Sequence, residues 1–241
     1  MEIKRYNKES DYSFSFGAFP TYELLLNKPK QVVKLILHDK LTKSEDVIKI
    51  LNLAKEYRIE ISYNSKLIEK LSGKNNIYIM GVFKKYTQPV TPNTNHVLLV
   101  NPSDMGNLGT IIRVMLGFGY KDLNIITPSV DYFDPKVIRA SMGAIFKINI
   151  SEYETIEDYM QEHKNHPYPF MLQTNNLLQD VSFKNTPHTL VFGTEASGLD
   201  DSYLYVGTPI KINQSKDIDS FNLSMAVGIA CYEFSKDTLK E

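Results

Sequence analysis

The chain has 241 residues, 42% of them hydrophobic, which is enough for one or two domains with true cores. No run of about 18 apolar residues exists, which excludes a membrane-spanning helix. The single cysteine, Cys231, excludes an internal disulfide and is typical of a reducing compartment. The polar opening MEIKRYNKESDY lacks the apolar segment of a signal peptide, so we expect a cytoplasmic protein.

The charge is distributed unevenly along the chain. The formal net charge is −1, but residues 1–90 carry 16 basic and 10 acidic side chains and are net +6, whereas residues 91–241 are net −7. This asymmetry favours a polyanionic partner for the front half. A lysine-rich domain that binds no polyanion would give the same counts, so charge alone leaves both interpretations open.

The front of the sequence, residues 1–86, predicts a small α/β domain. QVVKLILHD is typical of a strand, and KSEDVIKILNLAKEY has the apolar spacing of one helix face, with Ser44 as its N-cap. IEISYN and IYIMGVF predict two further strands. SKLIEKLSG between them predicts a short helix that ends at Gly73.

A linker and a second domain follow. Residues 87–95 contain two prolines and several turn-forming residues, which predicts a linker. Residues 96–241 then alternate between apolar strand patterns and helical patterns, which predicts an α/β domain with a mainly parallel sheet. The strand candidates are Val97–Val100, Leu123–Thr127, Lys147–Ile150, Pro169–Thr174, Thr189–Phe192 and Pro209–Ile212. Helical patterns include Leu108–Leu116 and ETIEDYMQEH.

Three polar stretches follow strands of this second domain, where ligands bind in parallel sheets. NPSDMGNLGTIIRVM starts a helix in which Arg113 points away from the apolar stripe, as an ordinary surface arginine also would. LVFGTEASGL sets Glu195 between two glycines, although a plain tight turn has the same residues. In INQSKDIDSFNLSMA, Ser220 and Asn222 precede a helix, and a simple cap is the alternative role for Ser220.

Several familiar site types are absent from the sequence. Ser197 is not centred between glycines as a nucleophile elbow requires, and no P-loop or G-x-G-x-x-G fingerprint follows a strand. The five histidines show no metal-ligand spacing, and HKNH (163–166) predicts a surface turn. We therefore expect no metal site.

Taken together and in order, the three stretches resemble the motifs of the SpoU/TrmH family of RNA 2′-O-ribose methyltransferases, within the SPOUT superfamily. The matching patterns are N-x-G-x-x-x-R in Asn107–Arg113, G-T-E-x-x-G-L in Gly193–Leu199 and S-F-N-L-S-x-A in Ser220–Ala226. RASMGAIFKI (139–148) is similar to the segment between the first two motifs. The resemblance covers about residues 95–236, and the front domain is similar to the small RNA-binding domain that precedes the catalytic domain in some members.

The resemblance implies a fold and an activity. The fold would be α/β, with a mainly parallel sheet and a C-terminal trefoil knot that binds S-adenosylmethionine, in a homodimer whose two subunits both contribute to the site. The product would be a 2′-O-methylated ribose in ribosomal RNA or, as second choice, transfer RNA. Two alternatives remain: a catalytically inactive RNA-binding or ribosome-assembly protein, and a nucleotide-dependent oxidoreductase, which the missing glycine fingerprint disfavours.

The resemblance also implies roles for individual residues. Because the guanidinium pKa exceeds about 12, we expect Arg113 to stabilise a developing alkoxide or to bind a phosphate, with a deprotonated Arg113 acting as base as the alternative. Glu195 would pair with Arg113 or with backbone N–H groups. The implied catalytic residues are Arg113, Asn107, Glu195, Ser220 and Asn222. The implied cofactor-binding residues are Gly193, Thr194, Gly198, Ile212, Phe221, Leu223 and Thr174.

Two departures from the family pattern concern the cofactor loop. The family commonly has Ile-Pro-Met where this chain has Ile212, Asn213 and Gln214, and it usually has leucine at the position of Phe221. In the front domain, basic residues would contact RNA phosphates. Aromatic residues near the N-terminus would stack on unpaired bases, with core packing as the alternative for each. These aromatic residues are Tyr6, Tyr12, Phe14 and Phe16.

Overall fold

The computed structural model describes residues 3–181 and 187–239, and it divides the chain into two compact units. Unit 1 consists of Met1–Thr87 and Asp131–Lys147, and unit 2 consists of Gln88–Val130 and Ile148–Glu241. Within the described ranges, no helix combines the length and the apolar composition needed to cross a membrane.

The described residues form nine strands and seven α-helices. The strands are β1 (Tyr12–Phe16), β2 (Val32–Leu37), β3 (Glu60–Tyr63), β4 (Ile79–Lys84), β5 (His96–Val100), β6 (Asp122–Ile126), β7 (Asn149–Tyr153), β8 (His166–Pro169) and β9 (His188–Phe192). The helices are α1 (Ala18–Asn27), α2 (Glu45–Glu56), α3 (Ser65–Ser72), α4 (Met105–Gly117), α5 (Pro135–Ala140), α6 (Ile156–Glu162) and α7 (Leu223–Ser235).

Unit 1 is built on a four-stranded sheet in the order β1-β4-β2-β3. Strand β4 is antiparallel to β1 and β2, whereas β2 and β3 are parallel. The predicted ends of two helices are confirmed: the Ser44 hydroxyl accepts a hydrogen bond from Val47 N (3.4 Å) at the start of α2, and Gly73 ends α3 in the left-handed conformation. These local signals are readable in sequence because a cap acts within three residues of itself.

Strand β1 and helix α1 were not predicted from the sequence, and they change the interpretation of the N-terminal aromatic residues. Phe14 and Phe16 lie in the core beside Ile36 and Val82, with only 1% of Phe14 exposed. The base-stacking hypothesis is therefore wrong for these two phenylalanines, and the packing alternative is confirmed.

Residues 131–147 belong to unit 1, although the sequence predicted one continuous domain over residues 96–241. The Ser13 hydroxyl donates to the Phe133 carbonyl (2.5 Å), and the Phe146 ring meets the Phe83 ring edge-on at 5.3 Å. These contacts join positions more than 60 residues apart, so no local pattern marks the segment as part of the front unit.

The predicted linker is ordered against unit 2 rather than free. The Asp122 carboxylate accepts hydrogen bonds from Thr91 N (2.7 Å) and from the Thr94 hydroxyl (2.8 Å). Val90 N donates to the Ser151 hydroxyl (3.1 Å). Polar side chains of the sheet therefore accept hydrogen bonds from backbone N–H groups of this proline-rich stretch. The stretch is an ordered part of unit 2 for that reason.

Unit 2 contains a fully parallel five-stranded sheet in the order β7-β6-β5-β9-β8, which confirms the predicted parallel architecture. Some predicted strands are displaced. Residues 144–147 form a short 3-10 helix, so β7 starts only at Asn149. Strand β8 ends at Pro169, where we predicted a strand to begin, and Pro209–Ile212 contributes isolated bridges at Ile210 and Lys211.

The surface turn predicted for HKNH is wrong at its first histidine. His163 is buried, and its Nε2 lies 2.9 Å from the Tyr153 hydroxyl. His166 begins β8. Burial lowers the pKa of His163, so the ring is neutral near pH 7.

Gly143 generates a prediction about the stability of unit 1. It has φ +80°, and a Cβ added to it would lie 2.8 Å from Glu23 Cβ and 3.1 Å from Pro20 Cα. We expect Gly143→Ala to lower the free energy of unfolding by about 1–3 kcal/mol in urea titrations. In the control Gly117→Ala, where no atom lies within 4 Å of the new Cβ, stability should be unchanged or slightly higher. Equal losses in both variants would contradict this account.

Candidate active site

A cavity of about 310 Å³ lies in unit 2, at the end of the sheet where β8 and β9 finish. Its walls come from residues 170–173 after β8, the turn 192–199 after β9, the stretch 211–221 and the first turn of α7. Ligands of parallel α/β sheets bind beyond the carboxyl ends of the strands, and this cavity has that position and the size of a small-molecule pocket.

The turn after β9 folds back tightly on itself, and this explains its glycines. A Cβ on Gly193 would lie 2.0 Å from the carbonyl carbon of Gly198, so no side chain fits there. Thr194 N and Gly198 N each donate to the other residue's carbonyl, at 3.3 and 3.1 Å, and Gly198 has φ +70°. The turn thereby holds Glu195 at its tip, beside the cavity.

The three polar stretches meet in a chain of hydrogen bonds. The Glu195 carboxylate accepts from the Ser103 hydroxyl (2.9 Å) and from Asn107 Nδ2 (3.3 Å). Asn107 Oδ1 in turn accepts from Asn222 Nδ2 (3.1 Å). Residues more than 100 positions apart in the sequence are thus brought together by hydrogen bonds.

The two asparagines are fixed by the starts of their helices. The carboxylate of Asp104, the N-cap of α4, accepts from Asn107 N (2.7 Å). Asn222 is itself the N-cap of α7, and its Oδ1 accepts from Ser224 N (3.0 Å) and the Ser224 hydroxyl (2.7 Å). The cap role considered for Ser220 is therefore wrong, because Asn222 fills it; Ser220 instead lines the cavity.

Arg113 does not join this network. It is exposed on α4 and lies outside the cavity wall, and its guanidinium makes no hydrogen bond or ion pair with any residue that the structure describes. Six residues separate it from Asn107, which places it about 240° around the helix and about 9 Å along it. The predicted pairing of Glu195 with Arg113 is not formed within the chain, since Ser103 and Asn107 hold the carboxylate.

Most of the predicted cofactor-binding residues line the cavity, and one does not. Those that do are Gly193, Thr194, Gly198, Ile212, Phe221 and Leu223. Thr174 is buried, and its hydroxyl donates to the Pro209 carbonyl (3.3 Å), so it supports the fold of the loop. Its neighbour Gln173 faces the cavity instead.

Sequence reasoning missed several polar residues of the site. Ser103 follows β5 as directly as the motif residues do, and its position after a strand was the available signal. Gln214 explains one departure from the family pattern: its Nε2 donates to the carbonyls of Ile218 (3.4 Å) and Asp219 (2.8 Å), which closes the cavity loop. Two further charged residues on the cavity wall, Lys211 and Asp219, were also missed.

The cavity combines flat apolar surfaces with charged groups. The rings of Phe170 and Phe192 stack at 4.5 Å with an interplanar angle of 12°, and both line the wall together with Lys211 and Asp219. Such a wall suits a ligand with a planar ring at one end and charged groups at the other. Among the described residues, no cluster of three or more His, Cys, Asp or Glu side chains is placed to hold a metal ion.

Comparison with known proteins identifies relatives of this chain. It is 27% identical over 141 residues to an uncharacterized tRNA/rRNA methyltransferase of Synechocystis sp., an alignment that covers 57% of this chain and 51% of that protein. The chain thus spans about half the length of that relative. It superimposes with a TM-score of 0.82 on the S-adenosylmethionine-bound rRNA methyltransferase of Sinorhizobium meliloti, at 22% identity, covering 96% of this chain and 90% of the other.

A further solved structure has the same fold. It is an RNA 2′-O ribose methyltransferase that matches with a TM-score of 0.77 at 19% identity, covering 92% of this chain and 87% of the other. In addition, residues 94–232, more than half of the chain, match the SpoU rRNA methylase family. This match contains all three motifs and every member of the hydrogen-bonded network, and the chain belongs to the SpoU rRNA methylase family.

Proposed function

We propose that this protein transfers a methyl group from S-adenosylmethionine to the 2′-hydroxyl of a ribose in RNA, with ribosomal RNA as the first substrate and transfer RNA as the second. The observation that carries the proposal is the bonded series Ser103–Glu195–Asn107–Asn222 beside the cavity. The names of the similar proteins support it. No observation favours an inactive RNA-binding protein, and Asn107 is hydrogen-bonded to both Glu195 and Asn222.

The cavity fits S-adenosylmethionine. Its stacked phenylalanine rings, its cation Lys211 and its anion Asp219 match a molecule that has an adenine ring at one end and an amino acid at the other. The predicted residues on the cavity wall, from Gly193 to Leu223, would hold it. When bound, it supplies a methyl group that its sulfonium already activates, so the protein contributes mainly positioning.

The network would hold the ribose in place. Each side-chain amide has two N–H donors, and the observed bonds use one from Asn107 and one from Asn222. No residue in the described part of the chain takes the second donor of either amide, and these donors would bind a substrate oxygen. The Glu195 carboxylate fixes the Asn107 amide, so the donors are oriented before the substrate arrives.

The positive charge in the proposed reaction comes from Arg113, and we propose that it acts in a second copy of the chain. Arg113 is exposed on α4, and the neighbouring helix α7 exposes Met225 (59%) and Tyr232 (54%). Exposed apolar side chains on α7, next to the exposed cation of α4, suit a homodimer interface. In that homodimer, Arg113 of one copy would reach the network of the other and stabilise the developing alkoxide or bind a phosphate.

Three further features belong to the same proposal. The stretch 211–221, which closes the cavity, would form the trefoil knot that the family resemblance implies. Unit 1, with a net charge of +7 from residues 1–87 and 131–147, would supply phosphate contacts. The protein would act in the cytoplasm, without a metal ion.

Arg113→Ala tests the role of the arginine. We expect the rate of methyl transfer to fall by about 10²–10³-fold, because a charge that stabilises the transition state is lost. The affinity for S-adenosylmethionine should stay within a factor of about three, because Arg113 lies outside the cavity wall. Radioactive methyl incorporation into RNA and calorimetry measure the two effects. Lys121→Ala, another exposed cation of unit 2, is the control; near-normal transfer by Arg113→Ala would remove the arginine from the mechanism.

Mixing Arg113→Ala with Glu195→Gln, each first measured alone to verify that it is inactive, tests whether Arg113 acts across subunits. In a mixed dimer of Arg113→Ala and Glu195→Gln, one site would combine an intact Glu195 with an intact Arg113 of the other copy. Random pairing makes about half of the dimers in a co-refolded mixture mixed dimers, and each of these has one functional site. We expect the activity to recover up to that level. If both groups act within one chain, every site in the mixture lacks one of them, and the mixture stays inactive.

Two substitutions of Asn222 separate its role as the N-cap of α7 from its hydrogen bond to Asn107. Asn222→Asp keeps the oxygen that caps α7 and loses the donor to Asn107, whereas Asn222→Ala loses both. We expect Asn222→Ala to lower the free energy of unfolding by about 1 kcal/mol and Asn222→Asp to leave it nearly unchanged. Both variants should lose methyl transfer. Full activity in Asn222→Asp would show that the link to Asn107 is dispensable.

A further inference from the structure

Met142 has an unusual backbone conformation in an exposed position of unit 1. Its φ is +52°, in the left-handed region that non-glycine residues rarely adopt, and 36% of the residue is exposed. The turn around it is firmly held, since Met142 N donates to the Arg139 carbonyl (3.0 Å) and Gly143 N donates to the Ile138 carbonyl (3.1 Å). Strained residues of this kind persist where the surrounding structure fixes them, and they cluster at functional sites.

A second exposed apolar side chain lies on the segment that this turn contacts. Phe19, in the first turn of α1, is 54% exposed. Its neighbour Pro20 packs against the turn, with Pro20 Cα 3.1 Å from the Cβ position of Gly143. Phe19 and Met142 therefore flank one tight backbone contact, and both face outward.

The charges near this turn identify the kind of partner. Arg139, in the last turn of α5, is exposed, and its guanidinium makes no hydrogen bond or ion pair with a residue in the described ranges; the same is true of the Lys136 ammonium. Unit 1 carries a net charge of +7. A purely apolar protein interface would leave these cations facing a dry surface at a cost, whereas a polyanion neutralises them.

We propose that Phe19, Met142 and Arg139 form an RNA contact surface, on which Phe19 and Met142 pack against unstacked bases and Arg139 binds a phosphate. The choice of RNA as the polyanion rests on the proposed function. Bases of single-stranded loops stack on aromatic side chains, and an arginine holds a phosphate through two parallel hydrogen bonds. The left-handed turn fixes the backbone conformation of Met142 before binding, so less conformational entropy is lost when RNA binds.

Fluorescence tests this surface directly, because the chain contains no tryptophan. Phe19→Trp would place the sole indole at the proposed contact, and deproteinised ribosomal RNA is the probe. We expect RNA to quench its emission, and duplex DNA at equal nucleotide concentration to quench it much less, since duplex bases are not available for stacking. Tyr205→Trp, at a position of unit 2 that is 89% exposed, is the control and should not respond. An unchanged Phe19→Trp signal, or equal quenching at both positions, would overturn the proposal.

A loss of affinity provides the second test. We expect the double variant Phe19→Ser and Met142→Ser to bind ribosomal RNA about 10-fold more weakly, because the stacking contacts are lost. Leu26→Ser, which replaces another exposed apolar residue of α1, is the matched control and should bind normally. Urea titration verifies that each variant is folded.

The outcomes separate this inference from the proposed function. Unchanged RNA affinity in the folded double variant, with or without a change in oligomeric state, would overturn the contact surface and leave the methyl transfer reaction intact. Quenching by RNA in a protein that transfers no methyl group would support the surface and refute the proposed function.

Discussion

The site depends on the side-chain amide of Asn107, which uses both of its ends. Its nitrogen donates to Glu195 and its oxygen accepts from Asn222. This arrangement requires the turn after β9 and the start of α7 to meet at the start of α4. The parallel sheet makes the meeting possible: β5 and β9 are hydrogen-bonded neighbours, so the loops that follow them emerge side by side. Because an asparagine amide cannot exchange donor and acceptor without rotating, the network also fixes which groups face a substrate.

The same network explains why the arginine lies elsewhere. The Glu195 carboxylate already accepts two hydrogen bonds, from Ser103 and from Asn107, and a cation is not needed to hold it. A guanidinium paired with that carboxylate would also lose part of the positive charge that the alkoxide of the proposed reaction would require. Because its guanidinium has no partner among the described residues, Arg113 would keep its full charge until the proposed second copy docks. In the proposed homodimer, one copy would thus supply the groups that orient the substrate and the other copy would supply the positive charge.

The parts of the structure that were predictable from the sequence depend on short-range physics. Ser44 and Gly73 end helices through contacts within a few residues, and apolar runs such as Thr189–Phe192 predict buried parallel strands. The site motifs were recognised through their order. The role of Thr174 and the separation of Arg113 from Glu195 were not predictable, because each depends on which loops meet in space. The placement of residues 131–147 was not predictable for the same reason, because Phe133 and Phe146 pack against Phe83, which lies far away in the sequence.

The connection between two adjacent strands of unit 2 also has a consequence for how the chain can be divided. Strands β6 and β7 are paired in parallel, and the connection between them includes residues 131–147 of unit 1. Cutting the chain at residue 87 would remove the partners of Phe133 and Phe146, two large rings that are buried in the intact protein. Exposing both would cost several kcal/mol, since burial of a phenylalanine is worth about 1.5–3 kcal/mol. The connection between β6 and β7 therefore depends on contacts within unit 1 for its burial. For this reason the two units cannot be treated as independent modules.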